Sequence, residues 1–165
     1  MKRICALLSI ILIMSGCTKT DKMPVAKAGY SCSARFSFEN EQTVFATVYA
    51  LGGGVLKISV TEPENLKDFS FEFSGEEGKI CYKDLPPQPI SMESCGNFVY
   101  INGAFLKLTT ASPAAEQKGQ EWVYTDSYKS LEFIFMLNSE GLPKSLVYKG
   151  QNIEAEFWNW NYQKN

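Results

Sequence analysis

The sequence contains no histidine, which is the commonest general base in enzymes and the commonest side chain among metal ligands. Its five cysteines form no CxxC pair and no cluster with the spacing of a metal site. These absences argue against hydrolytic and metal-dependent chemistry. We therefore expect a protein that is not an enzyme, with no catalytic residue, no metal and no cofactor.

Positive charge is also scarce. The chain has 16 Lys and Arg residues against 18 Asp and Glu residues, which gives a net charge of −2. Two of the positive residues, Lys2 and Arg3, belong to an N-terminal leader, so the remainder of the chain is still more acidic. Because proteins that bind nucleic acids carry a basic patch, we expect no nucleic-acid partner.

Long apolar runs are missing as well. The longest largely apolar stretch, Ile4 to Met14, has 11 residues, whereas a membrane-spanning helix needs about 20. The positive residues before this stretch and the small pair Ser15-Gly16 after it are typical of a secretory signal. We assign residues 1–16 to a signal peptide.

A cysteine follows the small pair directly. The tetrapeptide Met14-Ser15-Gly16-Cys17 resembles the bacterial lipobox, with Met in place of the usual Leu. The resemblance implies that the Cys17 thiol carries diacylglycerol and becomes the first residue of the mature chain. Several acyl chains anchor a protein stably, because each buried methylene contributes about 0.8 kcal/mol. We predict a lipoprotein on the extracytoplasmic face of a cell membrane, or of an outer membrane in a host that has one. An ordinary secretory signal with an incidental cysteine is the alternative.

The polar run behind the cysteine has neither a helical nor a strand period, so we expect residues 17–29 to be a flexible tether. Residues 30–163 then form one domain of ordinary size. This domain begins with apolar residues that alternate with polar ones, as a strand with one buried face requires. The apolar members are Tyr30, Cys32, Ala34, Phe36 and Phe38.

Period-two patterns continue through two blocks on either side of a central segment. The predicted strands are Thr43–Leu51, Val55–Thr61, Phe69–Ser74 and Lys79–Lys83 in the first block, and Gln120–Thr125, Lys129–Asn138, Ser145–Tyr148 and Asn152–Trp160 in the second. Strands joined by short turns pair antiparallel. Both faces of Leu131–Leu137 are apolar, which predicts a central strand that is covered on both sides.

The central segment, residues 98–108, is compatible with two structures. Asn102-Gly103 between apolar residues is a hairpin signal. Four apolar residues, however, recur with the spacing of one helical face: Phe98, Ile101, Phe105 and Leu108. We predict a helix, because a sheet with so many phenylalanines on one face needs a cover. A proline at a first helical position predicts a second, short helix over Pro113–Lys118.

The cysteines and tryptophans of the domain give two further expectations. In an oxidising compartment the three remaining cysteines form at most one disulfide. Cys81 and Cys95 enclose a proline-rich loop, and we predict that they pair, with Cys32 as a buried thiol. Trp158 and Trp160 stand two residues apart, so a regular strand projects both on one face. They then form either an exposed patch or a pair packed under a loop.

The layout of the chain resembles a known family. A lipobox, two blocks of antiparallel strands, a central helix and the ending Ile153-Glu154-Ala155-Glu156-Phe157 resemble the LolA/LppX-like superfamily of bacterial lipoprotein carriers and lipid-binding lipoproteins. The stretch GVLKISVTEPENLKDFSFEFSGEEGKICYKDL is especially similar to small lipoproteins of that kind. The resemblance implies a mainly β (α+β) fold: a curved antiparallel sheet, or half-barrel, with one or two short helices covering its concave face.

The same resemblance implies that the concave face binds an apolar ligand, either a lipid or the acyl chain of a lipoprotein. The candidate ligand face is Leu56, Ile58, Val60, Phe69, Phe71, Phe73, Phe98, Ile101 and Phe105. The alternative for each of these residues is ordinary core. A second hypothesis is an anchored module that docks another envelope protein without cargo. A catalytic use of Glu154 and Glu156 is the weakest, because strand alternation directs both carboxylates to water.

Replacing Cys17 with Ala removes the predicted site of acylation. We expect the variant to leave the membrane fraction or to remain unprocessed, because no acyl chain is then attached. Cell fractionation and the intact mass of the protein measure this. Cys5→Ala is the matched control, since that thiol leaves with the signal peptide. A cleaved Cys17→Ala chain that lacks acyl groups and still sediments with membranes would contradict the lipoprotein prediction.

Overall fold

A computed structural model describes residues 29–39, 42–110 and 115–162. The predicted signal peptide, Cys17 and nearly all of the predicted tether lie outside the described residues. The strands are β1 (Tyr30–Ser37), β2 (Thr43–Gly52), β3 (Val55–Glu62), β4 (Phe69–Ser74), β5 (Glu77–Tyr82), β6 (Gln88–Ile90), β7 (Ala115–Lys118), β8 (Glu121–Tyr128), β9 (Leu131–Leu137), β10 (Pro143–Tyr148) and β11 (Glu154–Tyr162). A 3-10 helix, Met92–Cys95, precedes the α-helix α1, Phe98–Thr110.

All of these strands form a single antiparallel sheet in the order β6-β5-β4-β3-β2-β1-β11-β10-β9-β8-β7. The first six strands make one meander and the last five a second, and the pairing of β1 with β11 joins the two. The sheet does not close into a barrel, because β6 and β7 are its two edges. This architecture confirms the predicted fold class, and the two short edge strands, β6 and β7, are the ones that the sequence patterns did not predict as strands.

The sheet curves around α1. Near the start of α1, the ring of Phe98 stacks 4.7 Å from that of Phe71 on β4, while Gly103 lies against Tyr128 on β8. In the sheet order β4 and β8 are seven strands apart, which is about 33 Å in a flat sheet. Phe98 and Gly103 are only about 8 Å apart along the helix axis. One helix reaches both strands because the sheet wraps around it, and we call the wrapped side the concave face.

Alternation along the strands separates the concave face from the convex face. On β1 the residues Tyr30, Cys32, Ala34 and Phe36 are buried, as the sequence predicted. Burial raises the pKa of the Cys32 thiol to about 12, so this thiol stays protonated and behaves as a small apolar side chain. The convex face carries ion pairs instead, including Arg35 with Glu156 at 2.9 Å.

The helix over residues 98–110 confirms the helical interpretation of the central segment. Asn102-Gly103 does not form a turn, because its glycine serves close packing instead. A Cβ atom at Gly103 would lie 2.2 Å from the Tyr128 ring, so only glycine lets α1 approach β8 this closely. The hairpin signal came from Gly103, which allows close helix packing and is not part of a turn.

Two secondary-structure predictions were wrong. The predicted short helix at Pro113–Lys118 is strand β7 over its described part, Ala115–Lys118. Lys118 pairs with Glu121 across a two-residue turn in which Gly119 has φ +67°, and this hairpin with β8 overrides the helical signal. Strand β9 is covered on one side only, since Met136 on its convex side is 37% exposed.

The predicted disulfide also needs correction. Cys32, Cys81 and Cys95 are free thiols. Cys95 lies against Gly78 on the concave side of β5, where a Cβ atom on that glycine would be 3.3 Å from its Sγ atom. Cys81 is three residues further along the same strand, and an odd offset places it on the convex side. The two thiols are therefore on opposite faces of the sheet, a separation that loop composition does not indicate.

Replacing Gly103 with Ala tests the contact between α1 and β8. Helix propensity alone favours Ala by about 1 kcal/mol. We expect destabilisation by about 1–3 kcal/mol instead, because the added Cβ atom overlaps the Tyr128 ring. Urea unfolding of the Gly103→Ala, Tyr128→Ala and double variants measures this, and the double variant should lose less than the sum of the single losses. A Gly103→Ala variant as stable as the wild type would refute the contact.

Candidate functional site

The structure brings the predicted ligand face together, but most of it is core. Leu56 pairs with Phe73, and Ile58 with Phe71, across β3 and β4. Seven of the nine predicted residues are buried under or within α1: Leu56, Ile58, Val60, Phe73, Phe98, Ile101 and Phe105. Only Phe69 and Phe71 keep part of their surface open. The ordinary-core alternative therefore describes the centre of the concave face.

Aromatic rings hold α1 in place. The Phe98 ring meets those of Phe36 and Phe38 edge to face, at centroid distances of 5.6 and 5.5 Å. Further along the helix, Phe105 packs in the same manner on Phe135 and Phe157, at 5.3 and 5.5 Å. Each such pair contributes roughly 0.5–1.5 kcal/mol beyond the area that it buries. The attachment of the helix is thus chiefly apolar and has little directional bonding.

Two hydrogen bonds supplement these contacts. The Tyr148 hydroxyl donates to the Tyr100 carbonyl oxygen at 2.7 Å, and burial raises the pKa of Tyr148, which keeps the donor protonated. The Asn102 side-chain amide donates to the Gly75 carbonyl oxygen at 2.9 Å. Asn102 Oδ1 is buried and has no partner among the described residues. These bonds fasten α1 to β10 and to the turn between β4 and β5.

One part of the concave face is left partly open, and we call it the apolar strip: Phe69, Phe71, Ile80 and Tyr82. Phe69 pairs with Tyr82, and Phe71 with Ile80, so the four side chains share one side of the β4–β5 hairpin. The Phe69 and Tyr82 rings are 4.5 Å apart. The strip begins beside Phe98 at the N-terminal end of α1.

Two exposed leucines lie in the turns that adjoin β4 and β5. Leu66, in the turn before β4, is 37% exposed, and Leu85, in the turn after β5, is 63% exposed. The two turns are neighbours, because the Lys83 amide donates to the Asp68 carbonyl oxygen at 3.1 Å. Large apolar side chains at adjacent turns, next to a half-covered aromatic surface, are typical of a binding site.

Little free space remains beneath α1. Between the helix and the ends of β1 to β3 lies a cavity of about 20 Å³, bordered by Tyr30, Leu56, Asn102, Phe105 and Thr109 among others. That is room for about one water molecule, whereas ligand sites typically measure about 300–1,000 Å³. This cavity is therefore too small for an apolar chain unless α1 parts from the sheet.

Ile80, Tyr82, Leu66 and Leu85 were not among the predicted site residues. A signal for the first two was available: the turn at Gly75-Glu76 sets a register that places Tyr82 opposite Phe69. The exposure of the two leucines depends on the tertiary contact between their turns. Residue periodicity does not predict such a contact.

The predicted pairing of Trp158 and Trp160 on one face was wrong. The register of β1 with β11 shifts at this point, and Asn159 between the two tryptophans has φ +55°. Trp158 pairs with Ser33 on the convex face, whereas Trp160 packs against the core. A β-bulge inserts one extra residue into the strand, so side chains two positions apart, which a regular strand places on one face, come to lie on opposite faces.

Other features of the chain bear on membranes and chemistry. Glu154 and Glu156 are exposed, and Arg35 pairs with Glu156 on the convex face. In the described part of the chain, no three His, Cys, Asp or Glu side chains come together in a way that suits a metal ion. No helix in that part is both long enough and apolar enough to cross a membrane.

No protein-family model matches the chain, and neither does any curated protein. Solved structures do match. An uncharacterized conserved protein from Thermus thermophilus is 12% identical, with 84% of this chain and 81% of that chain covered and a TM-score of 0.50. A LolA superfamily protein from Nitrosomonas europaea is 10% identical over 85% and 88% of the two chains, with a TM-score of 0.44.

A third similar structure is a domain from Vibrio parahaemolyticus whose name places it with outer membrane lipoprotein-sorting proteins. It is 8% identical over 82% of this chain and 86% of that chain, with a TM-score of 0.44. At these identities, what the chain shares with them is the fold.

Proposed function

We propose that this protein is a lipid-anchored extracytoplasmic lipoprotein that binds one apolar chain, from a lipid or from the acyl group of a lipoprotein, and catalyses no reaction. The observation that carries the proposal is the apolar strip. α1 and the strands bury most of the concave face, but Phe69, Phe71, Ile80 and Tyr82 form a contiguous apolar group that is left partly open. The strip is the place where the sheet lacks a cover.

Energetics favour an apolar ligand on the strip. Burying apolar surface contributes about 25 cal/mol per Å², whether the cover is a protein side chain or a methylene chain. An acyl chain lying along β4 would remove the open parts of Phe69 and Phe71 from water. It would also be flanked by Leu66 and Leu85, which are otherwise exposed. The ligand would thus cover apolar side chains that the protein itself leaves partly exposed to water.

A longer chain would continue between α1 and β4. Phe98 stands at the entrance of this seam, in contact with Phe71, and the buried Phe73 lies further in. The contacts of Phe98 with β4 are aromatic and apolar, so methylenes can replace them. The movement has to stay small enough to keep the hydrogen bonds from Tyr148 to Tyr100 and from Asn102 to Gly75. In this mechanism the N-terminal turn of α1 tilts away from β4, while Gly103 keeps its hold on Tyr128.

The anchor would keep the site close to its ligands. A tether over residues 17–29 extends to about 40 Å at most, and its end is fixed where the Gly29 amide donates to the Ala50 carbonyl oxygen at 2.8 Å. The domain would therefore stay within reach of the bilayer that holds Cys17. Both the lipidation of Cys17 and this localisation are part of the proposal.

A charge on the strip should abolish binding. We would compare the chain without its signal peptide, carrying Cys17→Ala, with the same chain carrying Phe71→Glu, using the fluorescent fatty acid cis-parinaric acid as the probe. A carboxylate buried against a methylene chain is strongly unfavourable, so we expect affinity to fall at least about tenfold. Ile134→Glu is the matched control, because Ile134 is an equally half-buried β-strand residue on the convex face.

Circular dichroism and thermal unfolding would confirm that each variant folds. The proposal predicts that Ile134→Glu binds the probe like the parent chain. If the parent chain binds neither cis-parinaric acid nor lipids carried through a mild extraction, the proposal fails. It also fails if both glutamate variants lose binding to the same degree.

Docking of another envelope protein is the second candidate function. Its supporting observation is an apolar patch on the convex face, where Ile134 pairs with Val147 and Val123 pairs with Met136. Met136 and Val147 are 37% and 38% exposed. A partner with an apolar surface strip would fit this patch, and the Ile134→Glu variant, rather than Phe71→Glu, would then lose the interaction.

A further inference from the structure

A cleft of about 230 Å³ lies away from the apolar strip, beyond the ends of β8 to β11. Its walls are Gln120, Glu121, Asn138, Ser139, Lys144 and Trp160. Gln120 belongs to the β7–β8 turn, and Asn138 and Ser139 to the β9–β10 turn. Glu121, Lys144 and Trp160 belong to β8, β10 and β11. None of them contributes to the apolar strip or to the seam beneath α1, so the cleft has no role in the proposed lipid binding.

An indole ring forms one wall of the cleft. The bulge at Asn159 turns Trp160 towards the core, where its ring is half-buried. Its Nε1–H group is buried and has no acceptor among the described residues. A buried donor left without a partner costs about 1–3 kcal/mol, and native structures keep few such groups. Nε1 lies on the shielded side of the residue, so Trp160 borders the cleft without offering it the indole N–H group.

The other walls are polar but carry no net charge. Lys144 and Glu121 form an ion pair with each other. Asn138 Oδ1 accepts hydrogen bonds from the Glu140 and Leu142 amides, both at 2.9 Å. This arrangement fixes the Asn138 side chain and leaves its NH₂ group as a donor. Gln120 and Ser139 add an exposed amide and an exposed hydroxyl.

We propose that this cleft binds a neutral hydroxylated ring, a single sugar unit of a glycan. A sugar ring has an apolar C–H face that packs on an aromatic ring, and a rim of hydroxyl groups that need both donors and acceptors. The cleft offers an indole, two amides, a hydroxyl and an ion pair around one space. Its volume lies just below the range of larger ligand sites, as suits one ring.

Other ligand classes fit these walls less well. An anion would meet only Lys144, which Glu121 already neutralises. A divalent cation would find a single carboxylate, whereas such ions take six or more oxygen ligands. An acyl chain would leave the amides and the ion pair facing apolar surface without partners.

The test uses the chain without its signal peptide, carrying Cys17→Ala, with N-acetylglucosamine and its tetramer as probes. We expect both sugars to shift the amide NMR signals of Gln120, Glu121, Asn138 and Ser139 at concentrations up to roughly 10 mM. Trp160→Ala should weaken binding about tenfold or more, because it removes the aromatic side chain that borders the cleft. Trp158→Ala is the matched control, since that indole lies on the convex face beyond the bulge.

Several outcomes would overturn the proposal. One is the absence of any sugar-dependent shift at these residues; another is an equal loss of binding in the two alanine variants. A third is a response to polyethylene glycol as large as the response to the sugars. Thermal unfolding would show that Trp160→Ala is folded. This variant should still bind cis-parinaric acid, so a failed sugar test leaves the lipid-binding proposal unaffected.

Discussion

The packing of α1 against the curved sheet is the constraint on which the remaining structure depends. Phe98 contacts β1 and β4, while Gly103 contacts Tyr128 on β8, so one helix joins the two meanders across the concave face. The sheet is open, and among the described strands β1 and β11 form the one pair that joins its two halves. Without the close approach at Gly103, the inner faces of both meanders would lose their common cover.

The same packing defines the proposed site. A 13-residue helix is about 20 Å long and cannot cover eleven strands, so some of the concave face stays open. The open part falls on the β4–β5 hairpin, where four apolar side chains form the apolar strip. Apolar contacts attach α1 beside that strip, and a methylene chain can take their place. Because α1 leaves the apolar strip partly open, an apolar chain could bind and leave without unfolding the domain.

Periodicity predicted most of the fold and only part of the site. Alternation identified the strands, and the spacing of Phe98, Ile101 and Phe105 identified the helix, because both patterns record which side chains share a face. Alternation does not predict which part of a sheet face a helix covers. Leu56 and Ile58 were therefore assigned to a ligand face, although both belong to the core. The opposite orientations of Cys81 and Cys95 and the bulge at Asn159 depend on strand register, which propensity alone does not determine.

Entry of a long apolar chain beneath α1 requires the helix to move, and hydrogen exchange of the ligand-free protein measures that movement. Amides in the first turn of α1 should exchange through a local opening whose free energy lies well below that of global unfolding. Amides of β1 and β11, the central pair of the sheet, should exchange only on global unfolding. If α1 is a movable cover, its first-turn amides exchange faster than those of β1 and β11, and their protection changes when cis-parinaric acid is added. If α1 exchanges only together with β1 and β11, with or without the probe, the helix is a fixed part of the core. That result would contradict the proposal that an apolar chain enters beneath it.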